Sequence, residues 1–327
     1  MGCRDYYAFI HIGGNMELNK IYNEDCLEGM KRIPDSSIDL IVTDPPYGTI
    51  KGLELDGWKK EGVNEWDVVI NTKLLFDEYA RVLRDNGRVI LFSQEPYTSS
   101  LRTYNKTYGI EFNYPMVWLK NNHANPFTAK KAPLSYFEDI NVFTKKYSKN
   151  SYKELRDYFK RLQEFIGLNL KEINKVMGNR RAEHTFYWNS YQFKLCTNET
   201  YDKLVEHFKL NEWDGFKSYE ELKEYDYKRI FNLPKGEKFI PNILEFNKEN
   251  DRYHPTQKPT DMIEYLINIY SNENDTVLDS CIGSGTTAIA AINTNRNYIG
   301  FELDEEYYNL ANERISKTLK SETLETR

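Results

Sequence analysis

Two consecutive prolines arrest an apolar run near the start of this chain, and that arrest limits the fold more than any other feature. Ile38-Asp39-Leu40-Ile41-Val42-Thr43 is rich in β-branched and aliphatic residues, and Asp44-Pro45-Pro46-Tyr47 follows directly, before Gly48. Such a run reads as a buried strand, and proline has no N–H with which to continue a ladder. The strand therefore ends abruptly, with one carboxylate and one aromatic ring beside a rigid corner. In open α/β sheets ligands occupy the crevice outside the carboxyl ends of the strands. An ordinary strand-to-loop turn accounts for Pro and Gly equally well, but it asks for neither Asp nor Tyr.

Around this corner, strand and helix patterns alternate. Lys20 to Cys26 reads as a short strand with a polar end, followed by a helix over Leu27 to Arg32. Leu74, Leu75, Tyr79, Val82 and Leu83 have amphipathic helical spacing, with Asn86-Gly87 as the expected stop. Arg88 to Ser93 is a buried strand, a helix is expected over about 97 to 107, and strands follow near Tyr114 to Leu119 and Asp139 to Phe143. This alternation predicts a largely parallel sheet with helices on both faces. The polar stretch 48 to 71 between the corner and the next helix reads as a lid or substrate-contacting loop.

From about Lys146 to Glu245 strand-like runs disappear, and Tyr, Lys and Glu at helical spacing dominate, as in Leu155 to Phe165 and Tyr201 to Phe208. A separate helical insertion is expected there. Asn169 to Gly178 reads as one helix and Asn179 to Trp188, with Arg180, Arg181 and His184, as a second crossing it. That spacing suits a helix-turn-helix and a plain αα-hairpin alike.

The chain of 327 residues carries a net charge of −6, with 40% apolar and 29% charged residues, a composition that suits a globular protein with a large core. The charge is uneven. Between Lys120 and Leu195 stand fifteen basic residues against seven acidic ones, a surplus of eight that leaves the remainder at −14. A basic segment in an acidic chain is what a phosphate-contacting face needs, and a solvated helix surface has the same look. No apolar run approaches the roughly 20 residues that cross a bilayer, and residues 1–16 lack signal-peptide order, so a cytoplasmic location is expected. Met1-Gly2-Cys3 is followed by Tyr6 where an acylation signal wants Ser or Thr, and Met16 serves equally well as a start. The four cysteines, Cys3, Cys26, Cys196 and Cys281, show no metal-ligand spacing, so no metal is expected, and none follows a proline.

The final segment is the most specific. His254-Pro255-Thr256-Gln257-Lys258-Pro259 precedes an amphipathic helix over Met262 to Tyr270. Asp275 to Ala288 then reads as strand, glycine turn (Gly283-Ser284-Gly285-Thr286) and helix start, and Glu302 closes the next strand, Tyr298 to Phe301. Taken alone, this fits any nucleoside-bearing cofactor, an NAD-dependent dehydrogenase included.

The combination of Asp-Pro-Pro-Tyr upstream with His-Pro-Thr-Gln-Lys-Pro, Asp279-x-x-x-Gly-Ser-Gly-Thr-Thr and a later acidic residue resembles the β-group amino DNA methyltransferases. The resemblance covers roughly residues 17–145 and 250–320. It implies a Rossmann-like S-adenosylmethionine-dependent methyltransferase sheet with circularly permuted motif order and an inserted, mainly helical recognition domain. The expected division is an N-terminal extension 1–16, a catalytic half 17–145, a target-recognition insertion 146–249, a cofactor-binding half 250–320 and a tail 321–327. The resemblance further implies methyl transfer from S-adenosylmethionine to the N6 amine of a flipped-out adenine in duplex DNA. Asp44 and the Pro45 carbonyl would accept hydrogen bonds from the amine, Pro46 would stiffen the corner, and Tyr47 would stack on the base. Asp25, Asp279, Gly283, Ser284, Gly285, Thr286 and Glu302 would bind the cofactor, while Thr256 and Lys258 would contact its carboxylate or brace the glycine turn. Lys175, Arg180, Arg181 and His184 are the expected DNA contacts. Cys281 departs from the family, which commonly has Phe there. The Asp-Pro-Pro-Tyr form is commonest among adenine N6 enzymes; a cytosine N4 enzyme, an RNA or protein methyltransferase, and a silent DNA-binding protein of the same fold remain alternatives. The lack of a Pro-Cys nucleophile disfavours a cytosine ring-carbon enzyme. A homodimer and a cognate restriction endonuclease are the partners such a family allows, although no spare segment resembles a nuclease.

Overall fold

The structure is a computed structural model that describes residues 16–48, 68–103, 109–124, 130–131, 133–146, 152–190, 192–226, 231–249, 253 and 256–325. Most of the N-terminal extension, most of the 48–71 loop, the end of the helix expected over 97–107, His254-Pro255 and the last two residues of the tail lie outside them. The chain divides into a sheet unit, Met1–Lys146 with Ile230–Arg327, and a helical unit, Tyr147–Arg229.

Among its described residues the sheet unit holds an eight-stranded sheet in the order β1-β8-β7-β2-β3-β5-β4-β6. Its strands are β1 (Lys20–Asn23), β2 (Ile38–Thr43), β3 (Leu83–Ser93), β4 (Ile110–Ala124), β5 (Ser135–Lys145), β6 (Ile243–Glu245), β7 (Thr276–Asp279) and β8 (Asn297–Glu302). Among the described residues only β5 runs against its neighbours, β3 and β4; the other pairings are parallel. β2 pairs with β7, with Leu40 opposite Val277 and Ile41 opposite Leu278, although more than two hundred residues separate them in sequence. That pairing places Asp44 and the glycine turn at neighbouring strand ends.

Alternation along the strands divides the core into two faces. Leu40, Val42, Ile90 and Phe92 pack with α8 (Thr260–Tyr270), α9 (Thr286–Asn293) and α10 (Glu305–Glu325). Ile41, Val89 and Leu91 pack with α1 (Cys26–Met30), α2 (Thr72–Val82) and α3 (Tyr97–Thr103). The largest buried side chain, Trp118 on β4, also satisfies its ring N–H, donating to the Phe246 carbonyl at 2.8 Å. Burying one such side chain contributes about 2–3 kcal/mol, so the sheet is held chiefly by its covered faces.

Three sequence expectations change. Asn86-Gly87 does not stop α2. The helix ends at Val82 because Leu83 turns extended to pair with Ile38; pairing with β2 then slips to Leu40 opposite Arg88, and Asn86, at φ 63°, sits in the slipped stretch. The insertion expected over 146–249 ends earlier, because β6 pairs with β4 and returns residues 230–249 to the sheet unit. The third concerns the expected second crossing helix.

The helical unit packs α4 (Lys153–Ile166), α5 (Leu170–Met177), α6 (Asn198–Phe208) and α7 (Tyr219–Glu224) around Leu155, Phe159, Leu162, Ile173 and Leu204. α5 has a capping box, Asn169 with Glu172, and stops at Gly178 in the left-handed region. No second helix forms over Asn179–Trp188. The Asn179 side chain donates to the Met177 carbonyl at 2.8 Å and accepts from the Arg181 N–H at 2.9 Å, folding the chain into a turn, and only a 3-10 turn follows at Glu183–Phe186. The helix-turn-helix layout is therefore not made.

Candidate active site

At the carboxyl end of β2, Pro45 is buried and Pro46 half-buried, so the corner is packed in place and Asp44 and Tyr47 project from it. The Tyr47 hydroxyl donates to Asp44 Oδ1 and, at 3.2 Å, to Glu138 Oε1 on β5. Lys258 Nζ donates to Asp44 Oδ2, lies 3.3 Å from Glu138 Oε1 and also reaches the Thr256 carbonyl at 3.2 Å. Lys120 on β4 completes the group, 2.9 Å from Glu138 Oε2. Two carboxylates and two ammonium groups are thus interleaved, with the Lys120, Lys258 and Glu138 side chains 5–6% exposed and Asp44 21% exposed. The lysines also lie over aromatic rings, Lys258 at 5.1 Å from Phe92 and Lys120 at 5.0 Å from Trp118.

Burial raises the Asp44 carboxyl above its ordinary value, Lys258 pulls it back, and Glu138 adds to the rise. Burial acts the same way on Glu138, but there Lys258 and Lys120 outweigh it and hold the group low. For Lys258, burial opposes the charge and the two carboxylates more than compensate. An ionised carboxylate offers about four lone-pair sites, so Asp44, with one donor on each oxygen, can still accept from a substrate amine. The Tyr47 ring lies 5.9 Å from that of Tyr97 and tilted by 30°, which extends the aromatic wall beside Asp44.

The neighbouring strand ends build a loop of different chemistry. Gly283 and Gly285 have φ of 52° and 83°, and a Cβ on Gly285 would stand 3.0 Å from that of Ala311. Only glycine allows this turn without strain. Both Asp279 oxygens are engaged: one accepts from the Cys281 N–H at 3.0 Å, the other from the Thr287 hydroxyl at 2.6 Å. Glu302 accepts from the Gly283 N–H and the Asp304 N–H, both at 2.9 Å. Burial pushes Asp279 up to about 6 and Glu302 up to about 7. The hydroxyls of Thr43 and Ser280, 3.3 Å apart, join the end of β2 to the end of β7.

The expected site residues therefore fall into four places. Asp44, Tyr47 and Lys258 come together, with Thr256 joined to them through its carbonyl. Asp279, Gly283, Ser284, Gly285, Thr286 and Glu302 form the loop at the start of α9. Asp25 lies two residues past β1, whose Asn23 lies opposite Glu302, and its carboxylate caps α1 by accepting from the Leu27 and Glu28 N–H groups. Lys175, Arg180, Arg181 and His184 are exposed in the helical unit, where Arg180 pairs with Glu183 at 2.6 Å and Arg181 lies 3.6 Å from Glu199. That unit has sixteen basic and fourteen acidic residues, so the basic surplus belongs to its first half and to strands of the sheet unit rather than to the insertion as a whole.

Lys258 does not brace the glycine turn. Arg314 of α10 does: it donates to the Ser284 carbonyl at 2.5 Å and to the Ser284 and Thr286 hydroxyls at 3.0 and 3.4 Å. Gln257 adds an acceptor for the Ser284 hydroxyl at 3.4 Å. Arg314, Lys120 and Glu138 escape the sequence reading, although each carries a signal. Arg314 interrupts the apolar stripe Tyr308, Ala311, Ile315, and Lys120 and Glu138 are charges at the ends of apolar strands, where a buried charge needs a partner.

Comparisons with known proteins show which family this chain resembles. The model of the N6/N4 family, described as DNA methylase, matches residues 38–313. Type II methyltransferase M.BglII of Bacillus subtilis is 28% identical over 299 residues, covering 91% of this chain and 69% of that protein. Type II methyltransferase M1.MboII of Moraxella bovis is 28% identical over 300 residues, covering 91% and 96%. DNA adenine methyltransferase YhdJ of Escherichia coli is 26% identical over 310 residues, covering 91% and 83%. The crystal structure of the M1.HpyAVI–SAM complex superposes with a TM-score of 0.51 at 22% identity, covering 90% of this chain and 98% of that one, which establishes the shared fold. An Asp-Pro-Pro-Tyr corner held beside a glycine-turn strand, within a family match spanning most of the sequence, identifies the chain as a member of the N6/N4 DNA methylase family.

Proposed function

We propose that this DNA methyltransferase transfers the methyl group of S-adenosylmethionine to the N6 amine of an adenine rotated out of duplex DNA. The observation that carries this reading is the β2–β7 pairing, which sets Asp44 and Tyr47 next to the glycine turn. The loop residues fit the cofactor: Gly283 and Gly285 let backbone approach a ligand closely at the start of α9, and Glu302, at the end of β8, has lone pairs left for a ribose diol. When bound, the cofactor's sulfonium supplies an electrophilic methyl group.

The chain's own residues prepare the acceptor. An exocyclic amine is a poor nucleophile because its lone pair is delocalised into the base. Asp44 accepts a hydrogen bond from one amine proton and the Pro45 carbonyl from the other, which favours a pyramidal nitrogen, while Tyr47 holds the base by its ring face. Transfer would be a direct displacement with no covalent enzyme intermediate, the demethylated cofactor leaving as a neutral thioether and the amine giving up one proton to solvent, and the rate would come mainly from positioning. Exposed Lys175, Arg180, Arg181 and His184 supply phosphate contacts from the helical unit.

Adenine is favoured by the Asp-Pro-Pro-Tyr form of the corner and by the relative named as a DNA adenine methyltransferase. The test is incubation with methyl-labelled S-adenosylmethionine and unmethylated duplex DNA, then digestion to nucleosides and mass analysis. N6-methyladenine is the expected product. N4-methylcytosine would keep the mechanism and change the base, and absence of label in DNA would overturn the reading.

A further inference from the structure

Asp44 does not stand alone in its pocket, and the groups that hold it are themselves buried. Glu138 is the hub: one oxygen faces Lys120 at 2.9 Å, and the other receives the Tyr47 hydroxyl at 3.2 Å and Lys258 at 3.3 Å. Lys258 in turn binds Asp44, and Tyr47 binds both carboxylates. The groups facing Asp44 are thus Lys258 from the segment before α8, Glu138 from β5 with Lys120 behind it on β4, Tyr47 from the corner itself, and Asp279 from β7.

We infer that Glu138 is a positioning residue for methyl transfer: by sharing Lys258 and the Tyr47 hydroxyl with Asp44, it leaves the Asp44 carboxylate able to accept the substrate amine. The inference rests on the methyl-transfer reading above. The physical reason is charge division. With Glu138 present, two ammonium groups meet two carboxylates, and Lys258 is held between them. Without its charge, Asp44 alone faces both ammonium groups; Lys258 settles onto it, and a proton is lost from Asp44 more readily while the amine is accepted less well. In Glu138→Gln one acceptor oxygen remains where there were two, so Tyr47 and Lys120 can no longer both be served.

Opposite changes on the two sides of Asp44 make this testable. A nearby charge moves a carboxyl by about one pH unit or more. In Glu138→Gln the acid limb of the single-turnover rate should move down by about one pH unit, and the maximal rate should fall about tenfold or more with KM for DNA little changed. In Lys258→Met the same limb should move up by about one pH unit. Cofactor affinity, measured by calorimetry, should stay within a few fold in Glu138→Gln, because the glycine turn has its own bracing. Should Glu138→Gln not fold, the double variant Lys120→Met/Glu138→Gln removes one charge of each sign and should still show the downward shift. Limbs that stay put, or move together, would overturn the inference. A parent protein that leaves DNA unlabelled would instead remove the reading beneath it. Titration of the Asp44 carboxyl by carbon-13 NMR, assigned with Asp44→Asn, reads the same opposed shifts without any turnover.

Discussion

Two pairs of acidic side chains, Asp44 with Glu138 and Asp279 with Glu302, lie in neighbouring regions of one sheet and are neutralised differently. Asp44 and Glu138 are met by the ammonium groups of Lys258 and Lys120. Asp279 and Glu302 are met by backbone N–H groups and a threonine hydroxyl, neutral donors that also fix the shape of the glycine turn. The lysines keep Glu138 charged and limit the rise at Asp44, whereas neutral donors leave Asp279 and Glu302 pushed up to about 6 and 7. Where cations are paired in, charge is held for chemistry; where only dipoles are available, the loop is shaped and its charge becomes sensitive to pH near neutrality.

The sharpest way to break this comparison is to neutralise one acid in each region. Asp44→Asn should lower the single-turnover transfer rate about 10³-fold, the size of effect seen when one oriented polar group is removed from a reaction centre, and leave cofactor affinity within a few fold by calorimetry. Glu302→Gln should do the reverse, weakening cofactor binding about tenfold to a hundredfold through loss of charged hydrogen bonds while leaving the rate at saturating cofactor nearly unchanged. If both variants lose binding and rate together, the two regions are one unit and the distinction fails.

A pH titration of cofactor affinity sharpens the same contrast. In the proposed role of Glu302 at the cofactor ribose its charged form is the better acceptor, and burial pushes its carboxyl up to about 7. Affinity should therefore be level above pH 8 and fall as pH drops through 7, by up to about tenfold per pH unit. In Glu302→Gln this slope should disappear.

The smallest expected effect concerns stability. Asp279 is 3% exposed and its folded pKa, about 6, lies above its ordinary value of 3.8. Below pH 4 it is neutral folded or unfolded and costs nothing. As pH rises from 4 to 6 the unfolded state releases the proton first, so this residue's burial costs about 3 kcal/mol, fully developed above pH 6. Asp279→Asn should accordingly be more stable relative to the parent at pH 8 than at pH 4 in chemical denaturation. An unchanged difference would mean that the neutral donors satisfy the charge completely.

Much of this arrangement can be read from residue order alone, and the exceptions share a cause. The corner after β2, the glycine turn and the helix α8 are local patterns, so their periodicity and turn residues declare them. β6 is three residues long and stands only because β4 pairs with it, a contact no local pattern announces. The turn at Asn179 likewise depends on side-chain bonds to backbone that override helical spacing. The Glu138 hub stayed hidden for a related reason: its partners come from β4, from the corner and from the segment before α8, and only the assembled sheet brings them within reach.

The Lys258–Asp44 pair also has a consequence in time. Its members lie 214 residues apart, and a ribosome adding 5–20 residues per second needs roughly 10–40 s to cover that distance. Throughout that interval the nascent chain carries the Asp44 carboxylate, and from residue 138 onward that of Glu138 as well, without the cation that joins them, so the pocket around Asp44 cannot close dry. Competence for methyl transfer is therefore withheld from the emerging polypeptide until its last third has been made, and a truncated product would carry the Asp-Pro-Pro-Tyr corner without the counter-charge that makes it useful.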